Sequence, residues 1–315
     1  MSSRWHILIA GRLNTPMNVK PLHAVSTKSS GTMSAQADEH LHTAPFENTR
    51  DRRFFFSSAA HEEALSRLTY LAEDGNFSIG MLCGTVGSGK SLLRTMLHAR
   101  LNPDHFVRVN IENSLLDFDG MLLEIISQID GKRQSSIELP DRYSRLAELK
   151  HLLSNDIAGS NRHLVITIDE AQMLERATLD HIRALTNISA ERNNLMTIIL
   201  IGQPELETII SSLPQLDQRI GLRCRINNLG VEEMSQYIEH RLKVAGWLGN
   251  MPFTRNLLDE LYRVCQGNPR ILNRLLKLAI EHARLNEKML GDNAVIAVIA
   301  DQITPVHEAD PITGL

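Results

Sequence analysis

Aromatic residues are scarce in this chain, at 4% of 315 positions. A core therefore has to be built mainly from Leu, Ile, Val, Met and Ala, and a hydrophobic content of 43% supplies enough of them. Cysteine is scarce too. Cys83, Cys224 and Cys265 lie far apart, which excludes both a disulfide framework and a cysteine-based metal site. They are expected as reduced, buried thiols of a cytosolic protein. The thirteen histidines likewise lack metal-ligand spacing. Long apolar runs are missing: none reaches the ~18 consecutive residues of a membrane-spanning helix, and Ala294–Ala300 is far too short. Ile7–Ala10, between Arg4 and Arg12, falls below the roughly 7–15 residues of a signal-peptide core. The expectation is a cytoplasmic protein with no integral membrane segment. Nor is there an excess of positive charge. A formal net charge of −4 excludes a protein coated in basic residues and leaves room only for a local basic patch.

What is there falls into four parts. Residues 1–44 are polar and aperiodic, as expected of a disordered leader, with Met17 and Met33 as alternative starts. Over 45–229, short apolar runs alternate with helical patterns. Strands are expected at Ser78–Cys83, Phe106–Ile111, Leu164–Ile168, Thr197–Ile201 and near Arg223–Ile226. Helices are expected between them, at about Ala59–Glu73, Leu92–Leu101, Leu116–Ile129, Ser144–Leu153 and Thr178–Ile188. Such alternation implies an α/β fold with a parallel sheet flanked by helices. After Leu229 the strand signals stop. Val231–Ala245, Thr254–Cys265, Pro269–Leu285 and Asp292–Ala300 read as helices of a small all-α domain over 230–303, and 304–315 reads as a flexible tail.

The stretch Gly84-Thr85-Val86-Gly87-Ser88-Gly89-Lys90-Ser91 fits G-x-x-x-x-G-K-[ST]. Its glycines let backbone N–H groups approach phosphate oxygens, and the helix that opens at the loop's end, through Leu92, adds its positive dipole end. Lys90 can reach the β- and γ-phosphates of ATP, and the Ser91 hydroxyl can ligate Mg²⁺. The apolar strand before the loop and the amphipathic helix after it are the context this motif requires. A second apolar strand ends in Asp169-Glu170, which brings two carboxylates to the carboxyl edge of the sheet. Asp169 suits Mg²⁺ binding through water, and Glu170 suits a general base that polarises the attacking water. Gln203 ends the next strand, where it can position that water or hydrogen-bond the turn before Pro204.

Beyond these motifs, the chain resembles the ExeA / general secretion pathway protein A family of AAA+ ATPases, related to TnsC-type transposition ATPases. The resemblance runs over about residues 45–300. It is carried by Pro45-Phe46, Phe54, His61, Ala64-Leu65, the phosphate loop, Ile168-Asp169-Glu170-Ala171-Gln172, Gly202-Gln203-Pro204-Glu205-Leu206, Gln218-Arg219-Ile220 and Gly267-Asn268-Pro269-Arg270. It implies a P-loop NTPase core of the AAA+, ASCE type with a helical lid, and ATP-dependent self-association with the site between neighbouring subunits. It assigns Lys90, Ser91, Asp169 and Glu170 to the Walker A and B roles and Gln203 to sensor 1. Arg219, with Arg223 as competitor, falls on the arginine finger and Arg270 on sensor 2. Such an arginine neutralises charge developing on the transferred phosphoryl group. Secretion-type members commonly continue into a membrane helix and a wall-binding region; these 315 residues contain neither, so wall remodelling is not expected.

Two features stay open at this level. Arg270, Arg274, Lys277, Arg284 and Lys288 recur at helical spacing, as either a solvated face or a contact for DNA phosphates. Phe54-Phe55-Phe56 can line an adenine pocket or, for at least one ring, join the core. Three functions follow: an energy-coupling ATPase that remodels partner proteins of a secretion, pilus or polysaccharide-export system; a regulator assembled on double-stranded DNA; or a slow ATP-dependent binding switch. The acidic balance and the lack of a DNA-binding motif favour the first.

Overall fold

The computed structural model describes residues 41–112, 115–131, 140–190, 194–249 and 251–285. Of the leader expected over 1–44, residues 1–40 lie outside the described residues, as do the helix Asp292–Ala300 and the tail over 304–315; residues 41–44 are described, and the His42 N–H donates to the Ala245 carbonyl at 2.8 Å.

Five strands form one parallel sheet, in the order β2-β3-β4-β1-β5. They are β1 (Ile79–Gly84), β2 (Phe106–Ile111), β3 (His163–Ile168), β4 (Met196–Gly202) and β5 (Ile220–Ile226). Strands β1 and β4 are buried along their whole length. This explains why they read as continuous apolar runs rather than alternating ones: both faces of the sheet are covered. Alternation inside the runs sorts side chains to the two layers. Ile79, Met81, Ile166, Ile168, Ile198 and Leu200 face α3 (Phe118–Asp130), α4 (Arg142–Leu152) and α5 (Arg176–Ala190). Leu82, Val165, Ile199 and Ile201 face α1 (Ala59–Asp74) and α2 (Lys90–Arg100). The three cysteines are free and buried, and burial pushes the Cys83 thiol up to about 12.

Two short helices, α6 (Glu205–Ser211) and α7 (Pro214–Asp217), link β4 to β5, where no separate helix was expected. Seven and four residues are too few for a 3.6-residue period to stand out. Strand β5 begins three residues earlier than its expected start at Arg223. Exposed Gly221 and Arg223 interrupt its apolar pattern because, among the described residues, β5 is an edge strand with only β1 beside it.

Helices α8 (Val231–Val244), α9 (Arg255–Cys265) and α10 (Pro269–Leu285) bury a second apolar cluster. On α10, Leu272, Leu275, Leu276 and Ala279 supply the i, i+3, i+4, i+7 stripe. The segment 42–48 runs across this cluster. Phe46 is buried in it, the Arg241 guanidinium donates to the carbonyls of Pro45 and Glu47, and Lys277 pairs with Glu47 at 2.6 Å. Among the described residues, no helix is long and apolar enough to cross a membrane.

Candidate active site

The carboxyl ends of three adjacent strands, β3, β4 and β1, carry Asp169-Glu170, Gln203 and the 84–91 loop respectively. In the loop, Gly87 and Gly89 adopt positive φ of 83° and 101°. The chain then enters α2 at Lys90. Lys90 is buried, and its ammonium donates to the carbonyls of Gly84 (2.7 Å) and Thr85 (3.0 Å). Burial lowers its pKa, while the charges of Glu170 and Asp169 oppose that shift. Lysine and acids thus share one electrostatic environment.

Glu170 is the second residue past the buried strand and sits in left-handed backbone, φ 50° and ψ 39°. A non-glycine residue held there costs on the order of 1–3 kcal/mol, and such strain concentrates at working sites. Its Oε2 accepts from Gln172 Nε2 at 2.6 Å and from Gln203 Nε2 at 3.3 Å. Burial raises the Glu170 pKa, but these two amides with Lys90 and Arg270 outweigh it, and the net shift is downward. The carboxylate is therefore ionised at neutral pH.

Asp169 is buried at 7% exposure, and that burial raises its pKa. Its Oδ2 lies 3.2 Å from Arg94 Nη1, whereas the buried Oδ1 has no hydrogen-bond partner among the described residues. Arg94 was not singled out in the sequence. It lies one helical turn after Lys90, 4% exposed, and also binds Asn110 (2.5 Å) and Glu112 (2.8 Å). The only signal was a charged residue on the apolar side of α2. His61 is a second such residue. Buried on α1, its Nε2 donates to the Ser88 carbonyl at 2.9 Å, and its Nδ1 accepts from Ser58, the N-cap of α1. Burial lowers its pKa, so the ring is neutral at pH 7.

The helical cluster touches the loop directly. Asn268 Nδ2 donates to the Val86 carbonyl at 2.7 Å. Its Oδ1 accepts from the N–H groups of Arg270 (3.0 Å) and Ile271 (3.3 Å), which caps α10. A Cβ on Gly87 would sit 2.5 Å from Arg270 Cβ, so only glycine admits this approach. Arg270 is exposed, and its charge is felt at both Lys90 and Glu170.

Arg219 and Arg223 are not brought to this cluster. Ile220 pairs with Ile79, so Arg219 stands at the amino edge of the sheet, opposite the loop. Six residues of strand separate the two edges by roughly 15–20 Å. Arg219 is exposed and donates to Asn187 at 2.8 Å, while Arg223 pairs with Asp217 at 2.5 Å. Of the three phenylalanines, Phe54 is buried, 4.7 Å from the Arg241 guanidinium carbon, and Phe56 packs edge-on against Tyr237. On α10, Arg274 and Lys277 are exposed; the side chains of Arg284 and Lys288 lie outside the described residues.

A family model described as an AAA domain matches residues 74–210, which span the loop, both acids and Gln203. General secretion pathway protein A of Aeromonas hydrophila is 31% identical over 262 residues, covering 82% of this chain and 47% of that protein. The chain is an AAA+ ATPase of the general secretion pathway protein A-like family. It spans about half the length of that secretion protein. Among solved structures, the Aeropyrum pernix ORC2 protein in its ADPNP–ADP complexes superposes with a TM-score of 0.60 at 18% identity, over 80% of this chain and 71% of that one. The Aeropyrum pernix ORC1 protein in complex with DNA gives 0.59 at 17% identity, over 81% and 69%. At such identities the likeness is one of fold: the AAA+ ATPase has a P-loop core of parallel strands with helices on both faces.

Proposed function

We propose that this AAA+ ATPase cradles the triphosphate of ATP with the amides of residues 84–91 and hydrolyses it with Glu170 as general base. The observation that carries this is the convergence of a buried lysine after β1 with a buried acid and an ionised, oriented carboxylate after β3, on either side of the carboxyl end of β4. Lys90 gives up its two carbonyl partners to bind the β- and γ-phosphates. Glu170 draws a proton from water as the water oxygen attacks the γ-phosphorus, the bond to the β-bridging oxygen breaks, and ADP departs. Gln203 shares the Glu170 carboxylate and orients the water. Arg270, at the start of α10, faces the same charge from the lid side.

The acid pair also fits Mg²⁺. A buried carboxylate oxygen without a partner, Asp169 Oδ1, suits an acceptor for metal-bound water, and Ser91 supplies the hydroxyl. Bound there, the ion would neutralise phosphate charge.

Two units carry the output, the core over 45–229 and the helical lid over 230–303. We further propose that copies of the chain associate in an ATP-dependent way. Arg219 at the far edge of the sheet cannot serve its own loop, but it is free to reach a neighbour's, ahead of Arg223, whose charge is already paired. The assembly then remodels partner proteins of a secretion, pilus or polysaccharide-export system from the cytoplasm. A second reading, assembly on double-stranded DNA, is favoured by exposed Arg270 and Arg274 on α10 and by the fold shared with a DNA-bound relative. ATPase assays with and without duplex DNA separate the two. Turnover stimulated by DNA and lost with rising salt selects the second. Lys90→Ala should abolish ATP binding, and Glu170→Gln should bind ATP but barely turn over. Normal turnover in either variant refutes the assignment.

A further inference from the structure

Gln172, two residues past Glu170 in the short 3-10 turn Ala171–Met173, has both ends of its amide committed. Its Nε2 donates to Glu170 Oε2 at 2.6 Å, and its Oε1 accepts from the Gln203 backbone N–H at 3.0 Å. The amide cannot flip: reversed, its oxygen would face a carboxylate and its NH₂ a backbone N–H. Nor is there slack around it, since a Cβ on Gly202 would lie 2.7 Å from Gln172 Oε1. Both hydrogen bonds to Glu170, from Gln172 and from Gln203, fall on Oε2; Oε1 accepts none among the described residues.

We infer that Gln172 is the positioning residue of the general base. It ties one oxygen of Glu170 to the end of β4, so that the other alone is presented to water. The left-handed backbone at Glu170 aims the side chain, and the Gln172 bridge fixes its rotation. Because the bridge ends on the Gln203 N–H, a shift of the β4 end carries the base with it. This rests on the hydrolytic reading of the site, and it adds a residue that touches neither nucleotide nor water.

The test is steady-state ATPase kinetics and ATP affinity for Gln172→Ala and Gln172→Met, beside Glu170→Gln, with melting curves to confirm that each variant is folded. Methionine keeps the length and volume of glutamine but forms neither hydrogen bond. Misplacing a reacting group by about an ångström costs up to ~100-fold, so kcat should fall about tenfold or more in both variants. ATP affinity and KM should stay within about twofold of the wild type. Turnover restored by methionine would mean that Gln172 only fills space, and would overturn the inference. So would an equal loss of kcat and affinity. An inactive Glu170→Gln beside a fully active Gln172→Met sinks the positioning role alone. A fully active Glu170→Gln sinks the hydrolytic reading with it.

Discussion

Asn268 offers the sharpest perturbation of the contact between lid and phosphate loop, because its two functions sit on different atoms. Its Oδ1 caps α10, and its Nδ2 holds the Val86 carbonyl at 2.7 Å. Asn268→Asp keeps the capping oxygen and removes the donor. Aspartate caps as well as asparagine, so the helix should keep its stability within a few tenths of a kcal/mol. The lost hydrogen bond is worth about 1 kcal/mol, and a carboxylate oxygen set against the carbonyl adds repulsion. Together they should weaken the lid–loop contact by about 2 kcal/mol, or roughly 30-fold in the closed-to-open ratio. Since Arg270 follows two residues later, it withdraws from Lys90 and Glu170 with the helix end. ATP affinity by calorimetry should drop by up to about that factor, while the melting temperature of the nucleotide-free chain moves little. Asn268→Ala should weaken both, since it also loses the cap. Wild-type affinity in Asn268→Asp would mean that the contact does not couple lid to loop. A large fall in its melting temperature would mean that the cap, not the latch, dominates.

Arg219→Ala should leave ATP binding intact and reduce hydrolysis at least tenfold, but only at concentrations where copies associate. Concentration-independent turnover in the wild type, unchanged in the variant, rejects a role between subunits. Acid should destabilise the chain through two histidines. Burial holds His98 and His163 down to about 4 from 6.5, so both stay neutral when folded and take up a proton on unfolding. The unfolded state binds more protons between those values, and stability therefore falls as pH drops from 6.5 to 4, by up to about 3 kcal/mol for each ring. Urea midpoints measured across that window check the slope. His163→Gln, whose amide can still meet the Thr197 hydroxyl that His163 reaches at 2.9 Å, should flatten it.

How much of this was legible in the sequence divides along a physical line. Contacts made by neighbours in sequence, or fixed by where a buried strand ends, were legible. The 84–91 loop, Asp169-Glu170 and Gln203 each terminate a run of apolar residues, and a parallel sheet aligns such ends at one edge. The roles given to Arg219 and Arg270 came from family resemblance, since neither the residue before a strand nor one member of a basic helical stripe reveals by spacing alone what it contacts. Contacts between side chains and backbone far apart in sequence were not legible. His61 is among the residues that carry the resemblance, but its contact was not legible: it precedes Ser88 by 27 residues and looks like one more polar position on α1, although it is 5% exposed. Helices α6 and α7 escaped for want of length.

Arg94 is the most telling of the missed residues. The helix after a phosphate loop normally spends its inward face on apolar packing, as Leu93 and Leu97 do here. An arginine placed between them at 4% exposure costs several kcal/mol unless its charge is met. Asp169, Glu112 and Asn110 meet it from the ends of β3 and β2. The pairing also supports the proposed use of Asp169. Its Oδ2 faces Arg94, and Oδ1, which has no hydrogen-bond partner among the described residues, is the oxygen that the proposed metal-bound water would meet. One buried cation therefore orients the acid, as Gln172 is inferred to orient the base, and in both cases the proposed working oxygen is the one without a partner among the described residues.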